Sequence, residues 1–299
     1  MDKIHSRINK FCNKLGKNSL LVQGAGGNIS WKTKEVLNIK ASGKWMVDAL
    51  DENIFVTVDL KDIKQNLVSN NFDVKPKILN KTDLKPSIET LMHAVLPKKY
   101  VVHLHHVPSL SVLIRKNWKQ NLLELLPKKF SYGLVDYHKP GKDLAKNIFE
   151  TFSNNKKANV FFLKNHGIII CDNNLKNINS IISSLNKLSP NKIRLNNFLP
   201  KSKSMINKYI PIKDYVLNNF VYNEKIFNYL KNKWAICPDH VVFLGPKPNI
   251  YNSWSEFINN NKKNDKELIF IKNTGVYTFK DFSLAKTLQL RCYLDVIIR

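Results

Sequence analysis

At 299 residues with 43% hydrophobic content, the chain is long enough to bury a sizeable core as one large or two modest domains. Its formal charge of +25 is overwhelmingly lysine: only Arg7, Arg115, Arg194, Arg291 and Arg299 are arginine, and no zinc-finger, helix-turn-helix or RNA-recognition signature accompanies them. Specific nucleic-acid binding is therefore not expected, since arginine is the preferred bidentate reader of phosphate and guanine, whereas an anionic small substrate would benefit from the field.

In chain order, residues 1–20 read as a helix ending near Gly16, with Ile4, Ile8, Phe11, Cys12 and Leu15 on one face and lysines between them. That spacing is not a signal-peptide core, and no apolar run approaches the ~18 residues needed to span a bilayer, so a cytoplasmic protein with no membrane partner is expected. Cys12, Cys171, Cys237 and Cys292 form no Cys-x-x-Cys pair, which agrees with a reducing compartment. A glycine-rich turn, Gly24 to Ser30, leads into alternating segments Ser30–Ile39 and Ile54–Val58 that predict strands. Lys75 to Lys85 is polar and reads as a loop. Ser87 to Leu96 predicts a helix with Ser87 as N-cap and Ile88, Leu91, Met92 and Val95 on its apolar face.

After a strand around Val102, the pattern predicts a helix over Asp143–Phe152, strands Val160–Leu163 and Ile168–Cys171, and a helix over Leu175–Leu188. Strands alternate with helices, so the class is α/β. Asn196 to Lys213, with Pro200 and Pro211, marks a change of module, giving domains 1–197 and 198–299. Beyond it the sequence predicts a helix over Asp214–Lys231, a strand Val241–Gly245, a hairpin Leu268–Phe279 around Asn273 and a final helix Ser283–Ile298.

The chemistry concentrates in Tyr100-Val-Val-His-Leu-His-His106 and Phe161-Phe-Leu-Lys-Asn-His-Gly167. Side chains on a strand repeat with period two, so His103 and His105 share a face and can share an ion. His166 follows an apolar run and precedes a glycine, where a buried strand ends. Three histidines leave a coordination position open, the arrangement of a catalytic rather than a structural zinc. A lone His-x-His would equally suit a half-exposed strand; it is the third histidine that tips the reading.

Gly24-Ala-Gly-Gly-Asn28 lacks the third glycine of a dinucleotide fingerprint and the Lys-Ser/Thr of a P-loop. Even so, this segment and Ser42-Gly43-Lys44 can hold an anion on converging backbone N–H groups, with Asn28, Ser30, Ser42 and Lys44 as added donors. Glu89, near the start of the helix that precedes the histidine strand, is suited to proton transfer beside a metal, although a glutamate there also suits a helix dipole. His93, one turn on, is its candidate partner.

Taken in order, Gly-Gly-Asn-Ile-Ser30, Ala41-Ser-Gly43, Pro86-Ser-Ile-Glu89, Val102-His-Leu-His105, Tyr137-His-Lys-Pro-Gly141 and Leu163-Lys-Asn-His-Gly167 resemble the class II aldolase/adducin family over roughly residues 5–190. The resemblance implies a three-layer α/β/α fold and a divalent ion, most often zinc, on His103, His105 and His166. It further implies Glu89 as acid/base, Asn28, Ser42, Gly43 and Ser87 around a substrate phosphate, and a homo-oligomer, with a tetramer expected. The C-terminal third resembles the region that follows the aldolase domain in bifunctional aldolase/dehydrogenase proteins; with no reductase domain after it, a dinucleotide-dependent activity is not expected.

The expected function is a metal-dependent lyase that reversibly cleaves a phosphorylated or otherwise anionic sugar. Epimerase, dehydratase or decarboxylase chemistry on the same metal scaffold, or a non-enzymatic adducin-like binding role, are the alternatives.

Overall fold

The computed structural model describes residues 3–127, 130–188, 192–201, 208–260 and 266–299. Its contacts divide the chain into two units, Met1–Ser189 and Pro190–Arg299, a division that falls ahead of the 197/198 boundary read from the sequence.

In the first unit the elements run α1 (Lys3–Gly16), β1 (Asn28–Lys32), β2 (Val36–Lys40), β3 (Phe55–Asp59), α2 (Leu60–Val68), α3 (Thr90–Ala94), β4 (Tyr100–Leu104), α4 (Val107–Leu113), α5 (Trp118–Leu125), β5 (Tyr132–Val135), α6 (Lys142–Asn154), β6 (Val160–Leu163), β7 (Gly167–Asp172) and α7 (Leu175–Leu185). The strands form one seven-stranded sheet in the order β3-β2-β1-β4-β7-β6-β5. Every pairing is antiparallel except β5 with β6.

The period-two alternation of buried residues sets the layers. Ile29, Trp31, Tyr100, Val102, Leu104, Phe162, Ile168 and Ile170 pack on one face with residues of α1, α4, α5 and α7. Leu37, Ile39, Val56, Val101, Phe161, Leu163, Ile169 and Cys171 pack on the other with residues of α2, α3 and α6. A sheet apolar on both sides must be covered on both sides, which makes this an α/β/α sandwich. Burial of each large aliphatic side chain contributes roughly 1.5–3 kcal/mol.

The antiparallel order puts the functional motifs at one end of the sheet. The end of β2, the start of β1, the end of β4 and the start of β7 all lie there, because each is the antiparallel neighbour of the next. A bridge between Ala41 and Pro86 brings the segment before α3 to the same end.

One expectation here is corrected. The helix predicted over Ser87–Leu96 is only Thr90–Ala94, and its N-cap position is Glu89 rather than Ser87. The Ser87 hydroxyl oxygen accepts from the Glu89 amide at 3.2 Å and the Ser87 carbonyl accepts from the Thr90 hydroxyl at 2.6 Å, so a local serine turn holds the chain out of the helix. Ile88, expected on the apolar face, is 71% exposed.

The second unit carries β8 (Tyr209–Pro211), α8 (Asn219–Tyr222), α9 (Glu224–Asn232), α10 (Pro238–Leu244), β9 (Ile250–Tyr251), α11 (Trp254–Asn260), β10 (Leu268–Ile271), β11 (Gly275–Phe279) and α12 (Leu284–Ile297), with a sheet ordered β8-β11-β10-β9. The strand expected at Val241–Gly245 is instead the helix α10: Pro238 supplies the preset φ of a first helical turn and Asp239 complements its dipole. The helix expected over Asp214–Lys231 is broken, because Asp214 caps a short 3-10 turn and Asn223, extended at φ −99°, accepts from Ile226 N to start α9 afresh. Among the described residues no helix is long and apolar enough to cross a membrane.

Candidate metal centre

His103, His105 and His166 are all buried, and one ring nitrogen from each lies within 4.8 Å of the others. His103 is the penultimate residue of β4 and shares the α3 side of the sheet with Val101. His105 follows the strand end, and His166 sits in the turn between β6 and β7, one residue after Asn165, whose φ is +55°. Close approaches to the end of β4 depend on glycine at two places: a Cβ on Gly167, at the start of β7, would collide with the Leu104 carbonyl, and one on Gly27, just before β1, would sit 2.9 Å from the His103 carbonyl.

The orientation of His103 is fixed by the ladder itself. Its Nδ1 lies 3.0 Å from the Ile168 carbonyl, which can only accept, so Nδ1 carries the proton and Nε2 turns a lone pair inward. Burial, only partly opposed by Glu89, pushes the His103 imidazolium down to about 3, so the ring is neutral, the form that ligates a metal.

Glu89 closes the fourth side. Its Oε1 is 3.2 Å from His166 Nε2 and its Oε2 is 3.7 Å from His103 Nε2. Burial alone would raise this carboxyl; the facing His103, His166 and His105 outweigh it and hold the group well below the usual carboxylate range. Asn28, directly opposite His103 in the β1–β4 register, donates from Nδ2 to Glu89 Oε2 at 2.6 Å. Two residues along β1, on the same face, Ser30 Oγ is 2.9 Å from His93 Nδ1. Residues 28 and 30 of the strand thus grip residues 89 and 93 of the helix segment, joining period two to period 3.6.

The donor set fits a divalent ion. Three imidazoles with a carboxylate beside them suit zinc, and His103 Nε2 is buried without a hydrogen-bond partner among the described residues.

The sequence-predicted anion residues gather at the same end of the sheet. Ser42 and Gly43 are exposed in the turn after β2, and Ser42 N donates to Lys85 O at 2.9 Å, beside Pro86 and Ser87. Ser87 is buried and lines a cavity with Phe72, Pro86, Ile88 and Leu91. Asn28 is also buried, with its amide nitrogen committed to Glu89, a bond that couples sheet to carboxylate and that no sequence motif announced. His106 turns away and caps α4 by accepting from Ser109 N.

A seven-stranded α/β/α sandwich with a buried three-histidine cluster at one sheet end defines a class of protein that sequence comparison identifies. Residues 6–189 match the family described as Class II Aldolase and Adducin N-terminal domain, and the chain belongs to it. The uncharacterized oxidoreductase YuxG of Bacillus subtilis (strain 168) is 29% identical over 173 residues, covering 52% of this chain and 25% of the relative, so the chain spans about a quarter of that protein's length. The N-terminal class II aldolase domain of a conserved protein from Thermoplasma acidophilum is 23% identical, with 62% of this chain and 94% of that chain covered at a TM-score of 0.51, and shares the fold. A sugar-phosphate aldolase from Thermotoga maritima is 17% identical, with 62% and 90% covered and a TM-score of 0.48.

Proposed function

We propose that this chain is a zinc-dependent lyase that reversibly cleaves a phosphorylated or otherwise anionic sugar by an aldol reaction. The observation that carries the reading is the position of the Glu89 carboxyl group, buried and 3.2 Å and 3.7 Å from two imidazoles of the cluster. A divalent ion held by His103, His105 and His166 would supply Lewis-acid stabilisation of negative charge developing on a bound carbonyl oxygen.

The chain's own residues do the rest. In the cleavage direction Glu89 accepts the proton of the hydroxyl two carbons from the carbonyl carbon as the bond between the two intervening carbons breaks; the same carboxyl returns a proton to the carbanionic carbon. Asn28 keeps the carboxylate aimed while it does so. The Gly24–Ser30 and Ser42–Lys44 turns, with Ser87, hold the anionic end of the substrate. This reading expects a homo-oligomer, no nucleic-acid partner, and residues 198–299 as a separate C-terminal α/β extension.

The test is to incubate zinc-loaded protein with a panel of ketose phosphates and follow cleavage against isomerisation. Cleavage of at least one member, reduced by at least about 100-fold in Glu89→Gln with zinc content unchanged, is the expected outcome. Isomerisation without cleavage would move the assignment to an epimerase, and full turnover in the variant would remove Glu89 from the mechanism.

A further inference from the structure

Lys40 is the last residue of β2 and is 1% exposed, among the most buried large side chains of the protein. Leu37 and Ile39 of the same strand pack on the α3 side, so alternation sends Lys40 to the opposite face. Its ammonium ends beneath the two turns that flank β1 and β2. Nζ donates to the carbonyl of Ala25 at 3.0 Å, of Lys44 at 2.6 Å and of Ala41 at 3.4 Å.

Ala25 belongs to the glycine-rich turn entering β1; Lys44 closes the turn leaving β2. The turns are separated in sequence and share no strand, yet one side chain holds a carbonyl from each. An ammonium has three N–H donors and no acceptor, so it is well matched to a convergence of carbonyls. Burying one is costly, and a neutral residue would pack a strand end more cheaply. A buried cation becomes favourable where a negative charge arrives in front of it.

We infer that Lys40 is the positioning residue that locks the two turns into one cradle for the substrate's phosphate and places a fixed positive charge behind it. This rests on the reading of those turns as the anion site. Lys40 touches the turns rather than the substrate; it sets their spacing, and the exposed Ser42 and Gly43 with the turn before Asn28 present the donors.

The test is calorimetric titration of inorganic phosphate into the full-length, zinc-loaded protein, comparing wild type with Lys40→Met and Lys40→Arg. Wild type binds phosphate, Lys40→Met retains zinc but binds phosphate at least tenfold more weakly, and Lys40→Arg recovers part of the loss by restoring charge and donors. Equal phosphate affinity in wild type and Lys40→Met overturns the role of Lys40 and leaves the anion site standing. Zinc-loaded wild type that binds no phosphate overturns the anion site and this inference together.

Should Lys40→Met not fold, amide hydrogen exchange on wild type decides instead. Phosphate must slow exchange over residues 24–28 and 42–45 together, and protection of one turn alone refutes a shared cradle.

Discussion

Asn28 Nδ2 donates to Glu89 Oε2 at 2.6 Å, and through that bond the middle of the sheet aims the carboxylate at the histidines. Asn28 is also the β-register partner of His103, so a ligand candidate and the acid/base candidate are referenced to the same point of the backbone. A hydrogen bond to a charged group is worth about 1.5–3 kcal/mol. Asn28→Leu therefore lowers turnover about ten- to hundredfold while zinc per chain, measured by elemental analysis, is unchanged. Loss of zinc in that variant would show instead that Asn28 supports the ligands.

The three-histidine cluster predicts its own stoichiometry. Elemental analysis should find about one zinc or similar ion per wild-type chain and none in His166→Ala prepared identically, because two imidazoles without the third hold zinc far more weakly. A wild type that takes up no metal on reconstitution would turn the assignment to the non-enzymatic branch.

Gly167 admits β7 to within contact of the Leu104 carbonyl. Gly167→Ala forces backbone to move at that point, so urea denaturation should show a loss of about 2 kcal/mol or more, accompanied by reduced zinc content. Wild-type values of both would mean that the β4–β7 approach tolerates a side chain.

Lys32 offers a pH signature away from the centre. Its Nζ donates to the Leu96 and Lys98 carbonyls at 2.6 Å and 3.2 Å, and burial first, with Lys64 adding, lowers it from 10.5 to about 7 against a smaller opposing effect of Cys171. Folding thus favours the neutral amine. Between pH 7 and about 10.5 the unfolded chain binds the proton that the folded chain has released, so this residue makes stability rise with pH across that window. The advantage of Lys32→Met over wild type in urea denaturation should be largest near pH 7 and shrink towards pH 10; a pH-independent difference would contradict the burial of the charge.

Much of the layered fold could be read from local pattern, since short continuous apolar runs mark β4, β6 and β7 and amphipathic spacing marks α1, α6 and α7. The nearness of His103 to His105 follows from strand period alone. What escaped the sequence depends on partners distant along the chain: the Asn28–Glu89 bond spans 61 positions and exists only because β1 lies against β4. Lys40 read as one more lysine in a lysine-rich chain, although a charged residue closing an apolar strand between two glycine turns was the available signal. The helix at Ser87 and the strand at Val241 failed for local reasons, a serine turn that delays helix entry and a proline that starts one.

The bond from His103 Nδ1 to the Ile168 carbonyl spans 65 positions, so the ring acquires its inward-facing nitrogen only when β4 and β7 have paired. Closing so long a loop is among the slower steps available to a chain of this topology. Zinc capture during refolding is therefore a clock for non-local sheet assembly: a metal indicator in stopped flow should report uptake after the helical signal has formed, with the same time constant as burial of the central strands.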